Sequence, residues 1–183
     1  MPGELECGDA WATAPHASGA RIVVADGLGH GAEAAEAARE AVGVFHKRAA
    51  DEPATILRFA HEALRSTRGA AVSVVDVDCD RGVITFAGIG NIAGAALIGS
   101  SRRNFVSHNG ILGHAARTIS AFTYPFDRNT LVVLNSDGLV THWSLDAYPG
   151  IVGRDPSVIA AVLYRDFTRR RDDVTVVVAR QAA

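Results

Sequence analysis

IVVADGLGHG, residues 22–31, is the stretch on which the fold depends, and it leads into an alanine- and glutamate-rich segment that starts at Ala32. Four apolar residues that end at an Asp-Gly pair are typical of a buried strand with a carboxylate at its tip. The three glycines at positions 27, 29 and 31 let the backbone turn sharply and approach a ligand closely. The helix predicted next would present unpaired N–H groups that suit an anion. The stretch therefore predicts a site for a metal and a phosphate or, since Asp-Gly pairs also form ordinary turns, a plain strand-to-helix turn.

The composition is that of a globular protein, with one domain expected over residues 1–183. Of the 183 residues, 48% are hydrophobic and 21% are charged, and the formal net charge is −2. This weak negative charge argues against nucleic acid as a partner, and no apolar run reaches the length of a membrane span. Cys7 and Cys79 stand far apart without metal-ligand spacing, which predicts neither a zinc site nor a disulfide framework. Without a signal peptide at the start of the sequence, a cytoplasmic protein is expected.

A second acidic residue, Asp9, stands 17 positions before Asp26 (26 − 9) in the sequence. Strands over residues 11–13 and 21–25, joined by a turn over 15–19, would form a hairpin. Such a hairpin would bring Asp9 and Asp26 onto neighbouring strands. The alternative is that Asp9 only caps a turn, and the sequence of this segment leaves both interpretations open.

The rest of the chain predicts further helices and strands around this hairpin. Asp76, Asp78 and Asp80 alternate like the ligands of a calcium loop, but the glycine and glutamate of such a loop are not at the right offsets, so a solvated strand edge is predicted. Apolar periodicity predicts helices over 32–48, from 51 to 68, in 139–145 and from 155 to 171. It predicts strands over 72–77, 83–87, 92–98, 105–107, 119–126, 131–134 and 174–178. A turn is predicted over 99–104.

The strand over 131–134 repeats the opening pattern, because the next four residues, Asn-Ser-Asp-Gly, contain a strand-end acid, Asp137. Strand-end carboxylates from distant parts of a chain can converge on one edge of a sheet. A set made only of oxygen ligands suits Mg²⁺ or Mn²⁺ better than zinc, and two such ions can bind a phosphate and activate a water for in-line attack. The sequence has no local signature of a Ser/His/Asp or Cys/His nucleophile and no nucleotide-binding P-loop. The candidate acids are Asp9, Asp26, Asp137 and either Asp172 or Asp173.

In their order along the chain, these motifs resemble those of metal-dependent serine/threonine protein phosphatases of the PPM type. The resemblance is closest to the bacterial SpoIIE-type branch, whose short single-domain members include a feedback phosphatase of the stressosome, and it covers nearly the whole chain. It rests on Gly8–Asp9, on VADGLGHG at 24–31, on SDG at 136–138 and on RDDVT at 171–175, with further likeness in RGAAVS at 68–73 and in Gly90–Asn91.

The resemblance implies an α+β fold: a four-layer αββα sandwich of two antiparallel β-sheets flanked by helices. It also implies a centre of two Mn²⁺ or Mg²⁺ ions at one end of the sandwich. There Asp26 would bridge both ions and Asp9 would bind directly or through water, while Asp173 would help or cap. The implied metal ligands are Asp9, Asp26, the carbonyl of Gly27, Asp137 and Asp172. The four aspartates among them would also be the catalytic residues.

Three features depart from the family pattern. Eukaryotic relatives carry a histidine general acid directly after Asp-Gly, but this chain has Leu28 there and His30 two positions later. No arginine equivalent to the phosphate-binding one of eukaryotic members precedes Asp9. The sequence also begins so close to Asp9 that the first strand common in the family is expected to be missing or trimmed.

The function implied by the resemblance is hydrolysis of phosphoserine or phosphothreonine on a bacterial signalling protein. The implied substrate is a STAS-domain protein of the stressosome or an anti-sigma-factor antagonist of that type. One alternative is a pseudophosphatase that serves as a binding module in sigma-factor partner switching, against which the intact set of aspartates argues. Another is a metal-dependent hydrolase of small phosphoesters, which substrate competition would distinguish.

Overall fold

The computed structural model describes residues 5–99, 101–169 and 172–182. Within them the chain forms nine strands and three α-helices, together with short 3₁₀ helices at Leu64–Ser66 and Ile151–Gly153. None of the helices in this part of the chain is long and apolar enough to cross a bilayer. In chain order the elements are β1 (Asp9–His16), β2 (Gly19–Gly27), α1 (Ala32–Lys47), α2 (Pro53–Ala63), β3 (Ala70–Asp78), β4 (Val83–Ile89), β5 (Ala93–Ile98), β6 (Ser101–Asn104), β7 (Phe122–Pro125), β8 (Leu131–Asn135), α3 (Pro156–Phe167) and β9 (Val176–Ala179).

The strands form two antiparallel sheets that pack face to face. The first has the order β1-β2-β3-β4-β7 and the second the order β6-β5-β8-β9. Helices α1 and α2 cover the outer face of the first sheet, and α3 covers the second. The predicted four-layer αββα sandwich is therefore confirmed.

Three apolar layers hold the sandwich together. Alanines of α1, such as Ala37 and Ala38, are fully buried against the first sheet, and their small side chains let the helix lie close to it. Between the sheets, Val24 and Phe86 meet Leu134. On the far side, Leu163 of α3 belongs to the third buried layer. Burial of this apolar surface is the main favourable contribution to folding.

The β1–β2 hairpin fixes the geometry of the candidate site. Its register pairs Asp9 directly with Asp26, and the N–H of Gly27 donates to the carbonyl of Gly8 at 3.0 Å. The prediction that the two acids lie on neighbouring strands is confirmed, so Asp9 does more than cap a turn.

The predicted turn over 99–104 is wrong in part, because Ser101–Asn104 forms the edge strand β6. All four of its side chains are exposed and polar, so no apolar alternation marks it as a strand. The strand predicted over 105–107 is absent, since Phe105 bonds to Gly94 only through its N–H. The strand predicted over 119–126 is confined to Phe122–Pro125.

The helix predicted in residues 139–145 is also wrong, because tertiary contacts hold this segment in an irregular path. Trp143 is buried, its Nε1 donates to the Oδ1 of Asn135 at 3.3 Å, and the guanidinium of Arg102 lies 3.8 Å from its ring centre. The N–H of Val140 donates to the carbonyl of Phe167.

The final helix ends at Phe167, earlier than the predicted arginine run. The N–H of Arg169 donates to the carbonyl of Gly138 at 2.8 Å, which draws the chain away from the helix axis. Residues 170 and 171 of that run lie outside the described residues. The last strand begins at Val176 rather than at the predicted residue 174.

Candidate metal centre

The predicted acidic residues gather at one end of the sandwich. Asp9 opens β1, Asp26 is the penultimate residue of β2, Asp137 follows β8, and Asp172 precedes β9. Because β1 and β2 are antiparallel and paired at Asp9 and Asp26, these two residues share one sheet edge. The second sheet presents the end of β8 and the start of β9 to the same edge.

Ser136 connects the two sheets at this edge. Its buried hydroxyl donates to the Oδ2 of Asp9 at 2.6 Å and accepts from the N–H of Thr175 at 2.9 Å. Burial raises the pKa of Asp9 above its ordinary value, although the hydrogen bonds with Ser136 and Thr175 oppose the rise. Ser136 belongs to the SDG motif at 136–138, but the motif did not predict these hydrogen bonds. The only signal for them in the sequence is a polar residue directly after an apolar strand.

Asp26 lies in the most strongly perturbed environment of the site. Burial, followed by the charges of four other carboxylates, raises its pKa from 3.8 to about 8; the four are Asp9, Asp137, Asp172 and Asp173. Such a carboxyl is largely neutral at pH 7 when only protons compensate its charge. A divalent cation would have the opposite effect, because it favours the ionised form.

Asp137 is oriented by an amide from the turn that joins the two sheets. The Nδ2 of Asn91, on the turn between β4 and β5, donates to the Oδ2 of Asp137 at 2.6 Å. The next residue, Gly138, fits tightly, since an added Cβ atom would lie 2.0 Å from the carbonyl oxygen of Asp173. This close approach requires glycine and brings residues 172 and 173 to the end of β8.

The two consecutive acids before β9 have different surroundings. Asp172 lines the cavity described below, and its Oδ1 accepts from the N–H of Asp173 at 2.9 Å. The carboxylate of Asp173 accepts a short hydrogen bond from the N–H of Gly8 instead. The chain thus holds Asp173 at the start of the hairpin and leaves Asp172 facing the open space, as expected if Asp173 is a cap.

Gly27 lies where β2 meets the first turn of α1. An added Cβ atom there would lie 1.9 Å from the carbonyl oxygen of Ala34, so no larger residue fits without moving the helix. The N–H of the following residue, Leu28, donates to the carbonyl of Gly69 at 2.9 Å. These contacts fix the loop that leaves Asp26.

A cavity of about 560 Å³ opens over these residues. Its floor contains Asp26, Asp137 and Asp172, and its walls come from three loops, at 28–30, 90–91 and 109–111. Oxygen-bearing carboxylates and amides therefore face a space large enough for ions and a phosphate. A smaller cavity of about 270 Å³, lined mainly by apolar residues such as Ile22, Val77 and Phe126, lies elsewhere between the sheets.

The donor set fits a hard divalent cation. Carboxylate and amide oxygens are the ligands that Mg²⁺ and Mn²⁺ prefer. Among the described residues, no three His, Cys, Asp or Glu side chains are already placed closely enough to hold an ion. Desolvation and the like charges of the neighbouring acids raise the pKa of Asp26. A cation would relieve both.

Three histidines of the surrounding loops lie at different places relative to the cavity. His30 lines the cavity two residues beyond Leu28. The Nε2 of His108 lies 2.7 Å from the Oγ of Ser120, and the side chain of His114 is exposed next to Gly69.

In sequence, the chain is 23% identical over 185 residues to the phosphoserine phosphatase RsbX of Bacillus subtilis (strain 168), across 97% of this chain and 89% of RsbX. In structure, RsbX in complex with magnesium has a TM-score of 0.83 at 21% identity, over 98% of this chain and 90% of that one. A structure reported for the bacterial stressosome, as a modular system adapted to control secondary messenger signalling, has a TM-score of 0.90 at 29% identity, over 97% and 93%. Residues 16–182 match the family described as Stage II sporulation protein E (SpoIIE). The chain therefore belongs to the SpoIIE family of PP2C-type protein phosphatases.

Proposed function

We propose that this protein is a metal-dependent phosphatase that hydrolyses phosphoserine or phosphothreonine on a signalling protein, using a centre of two Mn²⁺ or Mg²⁺ ions. The observation that carries the proposal is the convergence of Asp26, Asp137 and Asp172 on one cavity, beside Asp9, which pairs with Asp26 across the β1–β2 hairpin. Burial and four neighbouring carboxylates raise the pKa of Asp26 to about 8. A fold without a use for this arrangement would gain stability by replacing Asp26 with a neutral residue. When bound, the ions supply Lewis acidity, which polarises the phosphoryl group and lowers the pKa of a water molecule.

The residues of the chain divide the work at this centre. Asp26 is surrounded by acids from both sheets, so it is the residue proposed to bridge the two ions. Asp137 and Asp172 line the same cavity and are proposed to hold one of the ions, with the carbonyl of Gly27 serving the other. Asp9 is less open because its Oδ2 bonds to Ser136, which suits a ligand that binds through water.

The hydrogen bonds around these acids restrict their motion. Asn91 fixes one oxygen of Asp137, and Ser136 fixes one oxygen of Asp9. A carboxylate with one oxygen engaged keeps the other for a cation, so its orientation is set before binding. Such preorganisation lowers the reorganisation needed during the reaction.

The proposed substrate is a phosphoserine in a STAS-domain protein of a stressosome or in an anti-sigma-factor antagonist of that type. Support comes from the likeness to RsbX, a phosphoserine phosphatase, and to a structure reported for the bacterial stressosome. A cytoplasmic location stays part of this proposal. The binding-module alternative is disfavoured because all four candidate aspartates are present and gathered at one edge.

Phosphate release from such a phosphoprotein, with and without Mn²⁺, tests the proposal. The expected result is that the wild-type protein releases phosphate from the phosphoserine protein only when Mn²⁺ is present. Small phosphoesters added as competitors should inhibit this release less than a second phosphoserine protein does. Release without any divalent cation would contradict the metal centre. Equal preference for small phosphoesters would favour the small-molecule hydrolase instead.

A further inference from the structure

The side chains that line the cavity over the candidate centre carry an excess of negative charge. Its lining contains three carboxylates, from Asp26, Asp137 and Asp172, and no lysine or arginine among the described residues. A phosphate monoester carries up to two negative charges near neutral pH, so a cationic side chain within reach would favour its binding.

Arg68 emerges at the junction of the loops that wall the cavity. The carbonyl of the next residue, Gly69, accepts from the N–H of Leu28 at 2.9 Å. Gly69 has a φ of 80°, and an added Cβ atom would lie 2.5 Å from the carbonyl oxygen of Leu112. The backbone at this point is therefore wedged between the 28–30 loop and the loop that follows residue 108.

The side chain of Arg68 extends over the first of these loops. A Cβ atom added to Gly29, which lines the cavity, would lie 2.9 Å from the Nη1 of Arg68. The Nε of Arg68 forms an ion pair with the Oε2 of Glu33 in the first turn of α1. The two side chains are 50% and 63% exposed, and ion pairs that exposed contribute little to stability, so this one can be exchanged at small cost.

We propose that Arg68 binds the phosphoryl group of the substrate at the rim of the cavity, an inference that rests on the proposed phosphatase function. The planar guanidinium donates two parallel hydrogen bonds to phosphate oxygens, which a lysine ammonium cannot reproduce. Glu33 holds Arg68 over the 28–30 loop before the phosphate arrives. Arg68 is thus a substrate-binding residue, and Glu33 is its ion-pair partner in the absence of phosphate.

The test uses equilibrium binding of inorganic phosphate to the Mn²⁺-loaded protein, measured by calorimetry, together with KM and kcat for p-nitrophenyl phosphate. Arg68→Gln is expected to weaken phosphate binding and to raise KM by about tenfold, because a charge-assisted pair is lost. Arg68→Lys should retain part of the affinity. Glu33→Gln should change phosphate affinity by less than about threefold, because the guanidinium remains.

A matched control is Arg65→Gln, since Arg65 lies three positions earlier and pairs with the exposed Glu62. It should leave phosphate binding unchanged. If Arg68 only clamps the loop to α1, Arg68→Gln and Glu33→Gln will weaken phosphate binding equally, and the proposal fails. Unchanged affinity in Arg68→Gln and Arg68→Lys also overturns it.

The result is separable from the proposed function. A wild-type protein that binds phosphate but releases none from a phosphoserine protein would refute the phosphatase activity. In that case the phosphate affinities of the Arg68 variants still decide the role of Arg68. Mn²⁺-induced stabilisation, measured on the same variants, should stay unchanged, because Arg68 lies outside the candidate ligand set.

Discussion

The first β-sheet carries acidic side chains in two regions, which are balanced in different ways. Away from the candidate centre, Asp76 of β3 accepts from Arg21 at 3.2 Å and lies 2.9 Å from the Nε2 of His16. At the centre, Asp26 lies among carboxylates that all raise its pKa. The chain thus supplies basic partners for the first acid, and at the second it gathers further acids. Asp76 therefore has its charge compensated within the fold, whereas Asp26 is the residue that we propose to bind a cation from outside the chain.

Neutralising each acid in turn separates their roles. Asp26→Asn should abolish phosphate release at every Mn²⁺ concentration while the protein stays folded, because the change is isosteric and relieves carboxylate repulsion. Asp76→Asn should leave activity near wild type but lower the free energy of unfolding by about 1–3 kcal/mol, because it weakens two partly buried charge-assisted hydrogen bonds. Phosphate assays across a Mn²⁺ titration and urea unfolding of both variants measure the two effects. Wild-type rates in folded Asp26→Asn would refute the two-ion proposal and favour the binding module.

A smaller effect is expected from Asp137, which is proposed to hold one ion only. Asp137→Asn should lower activity at limiting Mn²⁺ and regain part of it when Mn²⁺ is raised. Asn91→Ala, which removes the 2.6 Å hydrogen bond to Asp137, should weaken Mn²⁺ binding by about tenfold, as is typical for residues that orient a metal ligand. Calorimetric Mn²⁺ titrations check both variants. If raised Mn²⁺ restored no activity to Asp137→Asn, Asp137 would be shared between the ions, as we propose for Asp26.

The ion-free protein should lose stability as pH rises. The folded pKa of Asp26 is about 8 against an ordinary value of 3.8, so the folded state binds this proton more tightly than the unfolded state does. Its stabilising contribution is therefore complete below about pH 4 and declines as pH rises through the folded pKa. Thermal unfolding without metal, from pH 5 to 8.5, should show this decline, and Asp26→Asn should reduce it. If the melting temperature of Asp26→Asn depended on pH as strongly as that of the wild type, other groups would cause the loss of stability.

Added Mn²⁺ should reverse the decline. At about 100 times its dissociation constant, a ligand that binds only the folded state stabilises by about 2.7 kcal/mol, which raises the melting temperature of a chain of this size by roughly 5–10 °C. The rise should be larger at pH 8 than at pH 6, because fewer protons compete for the carboxylates. No rise at millimolar Mn²⁺ would count against a metal site.

The sequence predicted those parts of the molecule that depend on local patterns. The β1–β2 hairpin, α1 and the N-terminus of α3 follow from apolar periodicity, glycines and the cap at Asp155, whose side chain accepts from the N–H of Ser157. The gathering of the acids followed from their positions at strand ends. Strand β6 was missed because an exposed polar edge has no apolar alternation.

Contacts between distant parts of the chain were beyond sequence patterns. Ser136 and Asp9 lie 127 positions apart, and neither their bond nor that of Asn91 with Asp137 leaves a periodic signal. The path of residues 139–145 depends in the same way on Trp143 meeting Asn135 and Arg102. Tertiary packing overrides local helix propensity in that segment.

The smallest effect is expected at the histidines. His30 lines the cavity, but its side chain is exposed, so a water molecule can deliver a proton to the departing serine oxygen in its place. We therefore expect His30→Ala to lower kcat by less than about threefold, since general acid catalysis by a side chain contributes about a hundredfold or more where it operates. His108→Ala is the matched control, because His108 contacts Ser120 rather than the cavity floor. The pH dependence of kcat shows whether His30 is a general acid. If it is, the kcat of the wild type declines at alkaline pH and that of His30→Ala does not. If that decline were present and His30→Ala lost as much activity as Asp26→Asn, His30 would take the place of the histidine that Leu28 replaces.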